Sequence, residues 1–255
     1  MTKFTTPRIP WIFFDLDDTI WNFSENSTLA LHRLYEFSPH LRKLFADVEE
    51  FIKIYHIHNS ALWLSYSRGE VSTHELKTER WRRTLATKQF EVLTAVCEEL
   101  DTVYLDILAK SKKEMVGAKK LLEKLTKFAI VGVISNGFSA TQYKKLFFSG
   151  LNRYITRVIV SEELGINKPN HRIFDYAVAE TGATKPFIYI GDNRETDVFG
   201  ALRAGWYAIW MNTRNEENHI ASNELIENNI DPSLYLGEIT KIKDCLPLIE
   251  NFMSF

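Results

Sequence analysis

Short, continuous apolar runs occur in two parts of the chain, at its start and in its second half. The runs cover residues 9–14, 128–134, 158–160, 187–190 and 207–211. Runs of this length without polar alternation are typical of strands that are buried on both faces of a parallel sheet. Amphipathic segments lie between the later runs, for example the segment with Ile173, Phe174 and Ala177. Strands that alternate with helices predict an α/β fold, a parallel sheet with helices on both faces.

Between the first two runs the pattern changes to apolar residues at intervals of three and four, which predicts helices. This spacing recurs in three segments, represented by Ala30, Leu31, Leu34 and Tyr35, by Val48, Phe51, Ile52 and Tyr55, and by Phe90, Leu93, Cys97, Leu100, Tyr104 and Ile107. Asn22 with Glu25, and Ser72 with Glu75, have the spacing of helix-capping boxes. The sequence therefore predicts a helical block over residues 21–112.

This block is much longer than a connection between two parallel strands requires, since a crossover needs only about a dozen residues. We therefore expect two domains. Residues 1–20 and 113–255 would form a Rossmann-like core, and residues 21–112 would form an all-helical domain inserted between its first two strands.

Composition and charge exclude several classes of protein. The 255 residues are 45% hydrophobic and 25% charged, with a net charge of −2, which gives no reason to expect a nucleic acid polymer or a membrane surface as partner. Two cysteines, Cys97 and Cys245, are too few for a disulfide framework and are typical of a reducing compartment. Because we find neither a signal-peptide pattern nor an apolar run approaching about 20 residues, we expect a cytoplasmic protein. The sequence leaves open whether it is a monomer or a homodimer.

The first apolar run ends in three carboxylates, Asp15, Asp17 and Asp18. Acidic side chains at the end of a buried strand repel one another and lose hydration, which is costly unless a cation lies among them. Ligands that are all oxygen favour Mg²⁺ over zinc. For these residues alone, a polar strand-to-loop turn is an equal alternative, and we expect Asp18 to be structural, a solvated or helix-capping acid.

Polar residues also follow the later strands, and the carboxyl ends of parallel strands are where ligands bind in open α/β sheets. These residues are Ser135 and Asn136, then Lys168, and finally Asp192 and Asp197. Such a set suits phosphoryl transfer. One aspartate can attack phosphorus, a second carboxyl group can move the proton of the leaving group, and a lysine with a serine hydroxyl can hold the phosphate oxygens.

In order along the chain, these stretches resemble the four motifs of the haloacid dehalogenase-like (HAD) hydrolase superfamily. The matching residues are Asp15-Leu16-Asp17-Asp18-Thr19, Ser135-Asn136, Lys168-Pro169, and Gly191-Asp192 with Asp197. The resemblance implies that Asp15 is the nucleophile and Asp17 the general acid/base. It also implies a Mg²⁺ cofactor held by Asp15, Asp192 and the backbone carbonyl of Asp17, with Asp197 in support. Phosphate would be bound by Ser135, Asn136 and Lys168. The helical block would be the C1-type cap of this superfamily.

A narrower resemblance is to the bacterial pyrimidine-nucleotide 5′-monophosphatases. It is carried by Val160-Ser161-Glu162-Glu163-Leu164-Gly165, by Ile173-Phe174-Asp175-Tyr176-Ala177, and by the cap residues Leu62, Trp63, Tyr66, Gly69, Arg80 and Trp81. The usual Lys-Pro-Asp-Pro of the wider class is here Lys168-Pro169-Asn170-His171, a difference that affects neither the nucleophile nor the metal ligands.

The resemblance implies a Mg²⁺-dependent phosphomonoester hydrolase whose partner is a small phosphorylated metabolite, a nucleoside 5′-monophosphate. Trp63 and Tyr66 would stack on the base or only pack the cap, and Arg80 would reach a substrate anion or form an ion pair. The alternatives are a sugar-phosphate phosphatase or a phosphomutase of the same superfamily. Asp17 argues against a 2-haloacid dehalogenase, which carries a non-acidic residue at that position. The complete acid set argues against a binding module without catalytic activity.

Overall fold

The computed structural model of the protein describes residues 9–182, 186–213, 216–217 and 219–254. Residues 1–8, which the sequence assigns to the core, lie outside this range. Within the described ranges, no helix is both long and apolar enough to cross a membrane. By the density of its internal contacts the chain divides into two compact units: a core unit, which is the chain up to Asn22 together with Lys113–Phe255, and a helical unit, Phe23–Lys112.

The core unit contains a six-stranded parallel sheet with the order β3-β2-β1-β4-β5-β6. Its strands are β1 (Trp11–Phe14), β2 (Ile130–Ser135), β3 (Arg157–Val160), β4 (Phe187–Gly191), β5 (Tyr207–Met211) and β6 (Tyr235–Ile239). The order reverses next to β1, which pairs with β2 on one side and β4 on the other. This is the Rossmann arrangement, in which ligands bind beyond the carboxyl ends of the strands at the reversal. The predicted fold class is confirmed.

All five predicted strands are present, with bounds that differ by two residues at most. The sequence did not predict the sixth strand, β6. This edge strand pairs with β5 alone, and most of its residues are only half-buried. Gly237 and Glu238 interrupt its apolar pattern, so the sequence shows no continuous run there.

The helical unit is built from α1 (Phe23–Phe37), α2 (Pro39–Leu44), α3 (Val48–Ser67), α4 (Thr73–Ala86) and α5 (Thr94–Ala109). The capping box predicted at the start of α4 is confirmed, since the Glu75 backbone N–H donates to Ser72 Oγ and the Ser72 N–H donates to Glu75 Oε2. The stripe predicted from Phe90 onward is wrong at its beginning. Phe90 and Leu93 are exposed and precede α5, so their side chains do not share its buried face.

The remaining α-helices of the described core unit are α6 (Ala118–Leu125), α7 (Ser139–Ser149), α8 (Ser161–Leu164), α9 (His171–Thr181), α10 (Gly200–Arg203), α11 (Ser222–Glu227) and α12 (Cys245–Met253). Short 3₁₀ turns cover Leu151–Tyr154, Pro232–Leu234 and Ile242–Asp244, and a π-helical turn covers Arg194–Phe199. π-helical turns are frequent at functional sites, and this one lies shortly after β4.

Buried aromatic rings fix the central strands against the helices that follow them. The Trp206 ring stacks on Phe187 of β4 at 4.7 Å between centroids, and it contacts Phe13 of β1 at 5.3 Å and Phe174 of α9 at 5.3 Å. Each large ring buried here contributes roughly 1.5–3 kcal/mol through apolar area removed from water. These ring contacts fix the positions of β1 and β4, and both strands lead into candidate catalytic residues.

Candidate active site

Asp15 lies where β1 ends, next to β4. Its backbone N–H donates to the Ile190 carbonyl at 2.8 Å, so the parallel ladder continues through the residue. The side chain is almost fully buried. Ser135 ends β2 on the other side of β1 and Asp192 follows β4, so the predicted residues meet at the reversal of strand order.

A buried lysine joins three parts of this site. Lys168 Nζ donates to Asp15 Oδ1 at 2.6 Å, to Asp197 Oδ1 at 2.7 Å and to the Tyr189 hydroxyl at 2.7 Å. Burial lowers the pKa of Lys168, but the carboxylates of Asp15 and Asp197 outweigh burial and raise it well above its usual range. The ammonium has three donors and uses each of them. The sequence did not predict Tyr189 as a residue of this site. Its hydroxyl accepts from Lys168 and donates to the Ile134 carbonyl at 2.8 Å.

Asn136 holds this lysine by its backbone. The Asn136 Nδ2 atom donates to the Lys168 carbonyl at 2.9 Å, and the Lys168 N–H donates to Asn136 Oδ1 at 2.8 Å. The peptide bond between Lys168 and Pro169 is cis. Both ends of the Asn136 amide thus position Lys168, and the contact of this side chain with phosphate stays a prediction.

Three carboxylates gather where β1 and β4 end. Oxygen atoms of Asp15, Asp192 and Asp197 all lie within 4.8 Å of one another. Asp197 Oδ1 accepts from Lys168, and Asp197 Oδ2 accepts from the Asn193 N–H at 3.0 Å. A Cβ at Gly191 would overlap the Asp197 carboxylate, so only glycine lets that side chain approach the end of β4. Asp197 thus has both oxygens engaged in hydrogen bonds, to Lys168 and to Asn193.

The electrostatics of Asp15 favour a cation at this position. Burial is the largest cause that raises the pKa of its carboxyl group; Lys168 opposes it, the negative charges of Asp197 and Asp17 add to it, and together they bring the pKa to about 7. The site therefore holds more negative charge than its lysine compensates. Carboxylate oxygens are the ligands that Mg²⁺ prefers, so the residues present fit a magnesium ion held by Asp15 and Asp192 with Asp197 behind them.

The second aspartate of the first motif faces a different helix. The carboxylate of Asp17 accepts from Lys145 Nζ at 2.7 and 3.0 Å and from Gln142 Nε2 at 2.8 Å. The same Nε2 atom donates to Ser135 Oγ at 2.6 Å. Neither Gln142 nor Lys145 was predicted. The available signal was a glutamine and a lysine three residues apart on the face of α7 that also carries Leu146.

A family model described as haloacid dehalogenase-like hydrolase matches residues 9–205, which is most of the chain. The chain is a haloacid dehalogenase-like hydrolase. The resemblance noted from the four motifs is thereby confirmed.

Individual relatives of this HAD-like hydrolase differ in the substrates that their names state. The Escherichia coli (strain K12) protein named pyrimidine 5′-nucleotidase YjjG is 31% identical over 209 residues, which are 81% of this chain and 88% of YjjG. A Methanothermobacter thermautotrophicus protein named glyceraldehyde 3-phosphate phosphatase is 38% identical over 114 residues, which are 43% of this chain and 50% of that protein. The solved structure of the HAD-hydrolase YfnB from Bacillus subtilis, bound to magnesium, superimposes with a TM-score of 0.79 at 26% identity and covers 97% of this chain and 100% of YfnB.

Asp18 of this HAD-like hydrolase has a structural place. It is buried, its backbone has a φ of 53°, and its N–H donates to the Trp21 carbonyl at 2.8 Å. Asp is one of the few residues other than glycine that tolerate this left-handed conformation. The residue therefore closes the turn after β1, which is a structural role as expected, but its side chain is buried and not solvated.

Arg80, by contrast, is not placed to meet a substrate anion. It is 2% exposed, its Nε donates to Asp101 Oδ1 at 2.7 Å, and its guanidinium lies 5.3 Å from the centre of the Tyr104 ring. Trp81 Nε1 donates to the same Asp101 oxygen at 2.8 Å. Arg80 thus forms an ion pair, which is one of the two alternatives predicted from the sequence, and its guanidinium would have to break this pair to bind an anion.

Trp63 and Tyr66 differ in their accessibility. Tyr66 is 8% exposed, and its hydroxyl lies 3.3 Å from Thr73 Oγ1. Trp63 is half-buried and meets the Tyr66 ring edge to face at 5.5 Å between centroids. Of the two aromatic cap residues predicted from the sequence, Trp63 is thus the more exposed.

Proposed function

We propose that this HAD-like hydrolase is a Mg²⁺-dependent phosphomonoesterase that acts through a phosphorylated Asp15, with nucleoside 5′-monophosphates as its substrates. The observation that carries the proposal is the buried Asp15–Lys168–Asp197 group at the reversal of strand order, with Asp17 two residues after Asp15. A nucleophilic carboxylate, a second carboxyl group for proton transfer and a fixed ammonium are the parts that transfer of a phosphoryl group needs.

In the first step, an Asp15 carboxylate oxygen attacks phosphorus while Asp17 gives a proton to the leaving alkoxide. In the second step, Asp17 takes a proton from water, the water oxygen attacks phosphorus, and the Asp15 carboxylate is released with inorganic phosphate. Lys168 and the Ser135 hydroxyl would bind the non-bridging oxygens, where negative charge develops. Mg²⁺, held by Asp15, Asp192 and the Asp17 carbonyl, would supply neutralisation of the repulsion between carboxylate and phosphate.

The test of this chemistry is turnover of p-nitrophenyl phosphate by the wild type and by Asp15→Asn. Turnover should require Mg²⁺, and Asp15→Asn should lower it at least about 10³-fold, which corresponds to about 4 kcal/mol in the barrier. The matched control is Asp175→Asn, since Asp175 is exposed on α9 and pairs with His171. Activity of Asp15→Asn within tenfold of the wild type would refute the proposal.

The nucleotide part of the proposal is supported by the relative named pyrimidine 5′-nucleotidase, which aligns over 81% of this chain, and by the accessible Trp63 ring. A base that stacks on an aromatic ring gains about 1–3 kcal/mol. Trp63→Ala should therefore lower kcat/KM for nucleoside monophosphates roughly 5- to 150-fold, and it should scarcely change turnover of acetyl phosphate. Leu64→Ala, an exposed neighbour on α3, is the control. Equal losses on both substrates would show that Trp63 only packs the helical unit.

A smaller phosphate ester is the second candidate substrate, because the relative named glyceraldehyde 3-phosphate phosphatase is 38% identical over the segment that it shares with this chain. Values of kcat/KM for uridine 5′-monophosphate, thymidine 5′-monophosphate and glyceraldehyde 3-phosphate separate the two candidates. A preference for the triose phosphate would replace the nucleotide proposal and leave the proposed chemistry unchanged.

A further inference from the structure

We propose that Lys145 and Gln142 of α7 are positioning residues that hold Asp17 in place for proton transfer to the leaving group. The proposal rests on the proposed function, since it assigns these residues a part in the same reaction. It is carried by the contacts of both side chains with the Asp17 carboxylate.

The geometry of α7 brings both donors to one carboxylate. Residues three apart lie on the same face of a helix, and Gln142 and Lys145 are both buried on that face. Lys145 Nζ bridges the two oxygens of Asp17, while Gln142 Nε2 contacts Oδ2. Because both oxygens accept, the carboxylate cannot rotate without losing a hydrogen bond to a charged group, and such bonds are among the strong ones.

Lys145 is itself an unusual residue at this position. It is 3% exposed, and lysine is almost never buried unless it is paired. Its Nζ also lies 4.6 Å from the centre of the Trp21 ring, which attracts a cation. Asp17 remains 28% exposed at its side chain, so one of its sides stays open to a substrate while Lys145 holds the other.

Gln142 connects the acid to the residue proposed to bind phosphate. Its Nε2 atom donates both to Asp17 and to Ser135 Oγ, the latter at 2.6 Å. Its Oε1 atom is buried and has no hydrogen-bond partner within the described ranges, so the two donor contacts determine how the amide is oriented. A Cβ at Gly137 would overlap this amide, and glycine there is what allows Gln142 to reach both partners.

The functional consequence follows from the leaving group. An alkoxide such as a nucleoside 5′-oxygen needs a proton as the P–O bond breaks, whereas 2,4-dinitrophenolate leaves without one. A misplaced acid therefore slows the first step for alkyl esters alone. General acid catalysis contributes about 10²–10⁴-fold, and a displacement of about 1 Å can cost about 10²-fold.

The experiment measures release of the leaving group in a single turnover for a nucleoside monophosphate and for 2,4-dinitrophenyl phosphate, with the wild type and Lys145→Met. We expect a loss of about 10²-fold on the nucleotide and less than about threefold on the aryl ester, with KM for both esters nearly unchanged. Lys145→Arg keeps the charge and the donors, so its rate on the nucleotide should be at least about tenfold higher than that of Lys145→Met. Lys144→Met removes the neighbouring exposed lysine of α7 and should stay within twofold of the wild type on both esters.

Equal losses on both esters would overturn the proposal, because Lys145 would then only support the fold. A loss confined to KM would also overturn it, because Lys145 would then bind phosphate directly. A double-mutant cycle in thermal melting needs no turnover. Lys145→Met should lower Tm by about 3 °C or more in the wild type and by less than half of that in the Asp17→Asn background. Equal Tm shifts in both backgrounds would overturn the proposal, because the contribution of Lys145 to stability would then not depend on its contact with Asp17. A wild type that hydrolyses neither ester would refute the proposed function separately.

Discussion

Replacing Asp15 by Asn should abolish turnover and at the same time stabilise the core unit, increasingly so as the pH rises. The reason is that burial, together with the charges of Asp197 and Asp17, raises the pKa of the Asp15 carboxyl group from 3.8 to about 7 despite Lys168. An ionised Asp15 is therefore costly in the folded protein when no metal is bound. Asparagine keeps the shape of the side chain and removes the charge.

The direction of the pH dependence follows from proton binding. Between pH 3.8 and about 7 the folded protein keeps a proton on Asp15 that the unfolded chain has lost, so stability falls as the pH rises through this window. The difference between the two pKa values lowers the free energy of unfolding by about 4 kcal/mol above pH 7.5. At pH 5 only part of this loss is present, about 2 kcal/mol. For a chain of this size, 1 kcal/mol shifts Tm by about 2–4 °C. The variant should thus melt on the order of 10 °C above the wild type at pH 8 and about half as far above it at pH 5.

Thermal melting in EDTA from pH 5 to 8.5 measures this difference. Asp175→Asn is the matched control, because the same chemical change at an exposed aspartate should alter stability by no more than about 0.5 kcal/mol at either pH. Mg²⁺ should raise Tm of the wild type and reduce its disadvantage relative to Asp15→Asn, since a bound cation stabilises the ionised carboxylate. An Asp15→Asn variant that is less stable than the wild type, or whose advantage does not grow with pH, would refute this account of the site.

Three further substitutions test other parts of the structure. Asp192→Ala should raise the Mg²⁺ concentration needed for half-maximal turnover at least about tenfold, because a hard cation loses an anionic ligand; an unchanged metal requirement would remove Asp192 from the metal site. Asp17→Asn should give a burst of p-nitrophenol followed by slow turnover, since the water of the second step lacks its base, and steady turnover without a burst would contradict that role. Arg80→Met should lower the free energy of unfolding by about 3–5 kcal/mol in urea titrations, because it leaves Asp101 buried without its cation. Arg83→Met at the surface is its control, and equal effects of the two would show that the buried pair is not needed for stability.

The sheet and the acidic residues of the candidate site could be predicted from local patterns in the sequence. Short continuous apolar runs that alternate with amphipathic segments are typical of strands buried in a parallel sheet, and parallel strands bring their carboxyl ends to one edge. The meeting of Asp15 with Asp192 and Asp197 therefore follows from local patterns. The edge strand β6 was not predicted because Gly237 and Glu238 interrupt its apolar pattern.

Which charged side chains pair with one another could be seen only in the folded protein. Lys145 and Asp17 are 128 residues apart in the sequence, and their contact depends on how α7 is rotated about its axis, which no local periodicity specifies. A lysine on an amphipathic helix ordinarily lies in solvent, and an arginine in a predicted cap ordinarily remains available to a ligand. Arg80 instead lies inside the helical unit because Asp101, 21 residues later, supplies a buried counter-charge. Pairing of this kind arises from long-range packing, so the supporting residues of the site became visible only in the folded chain.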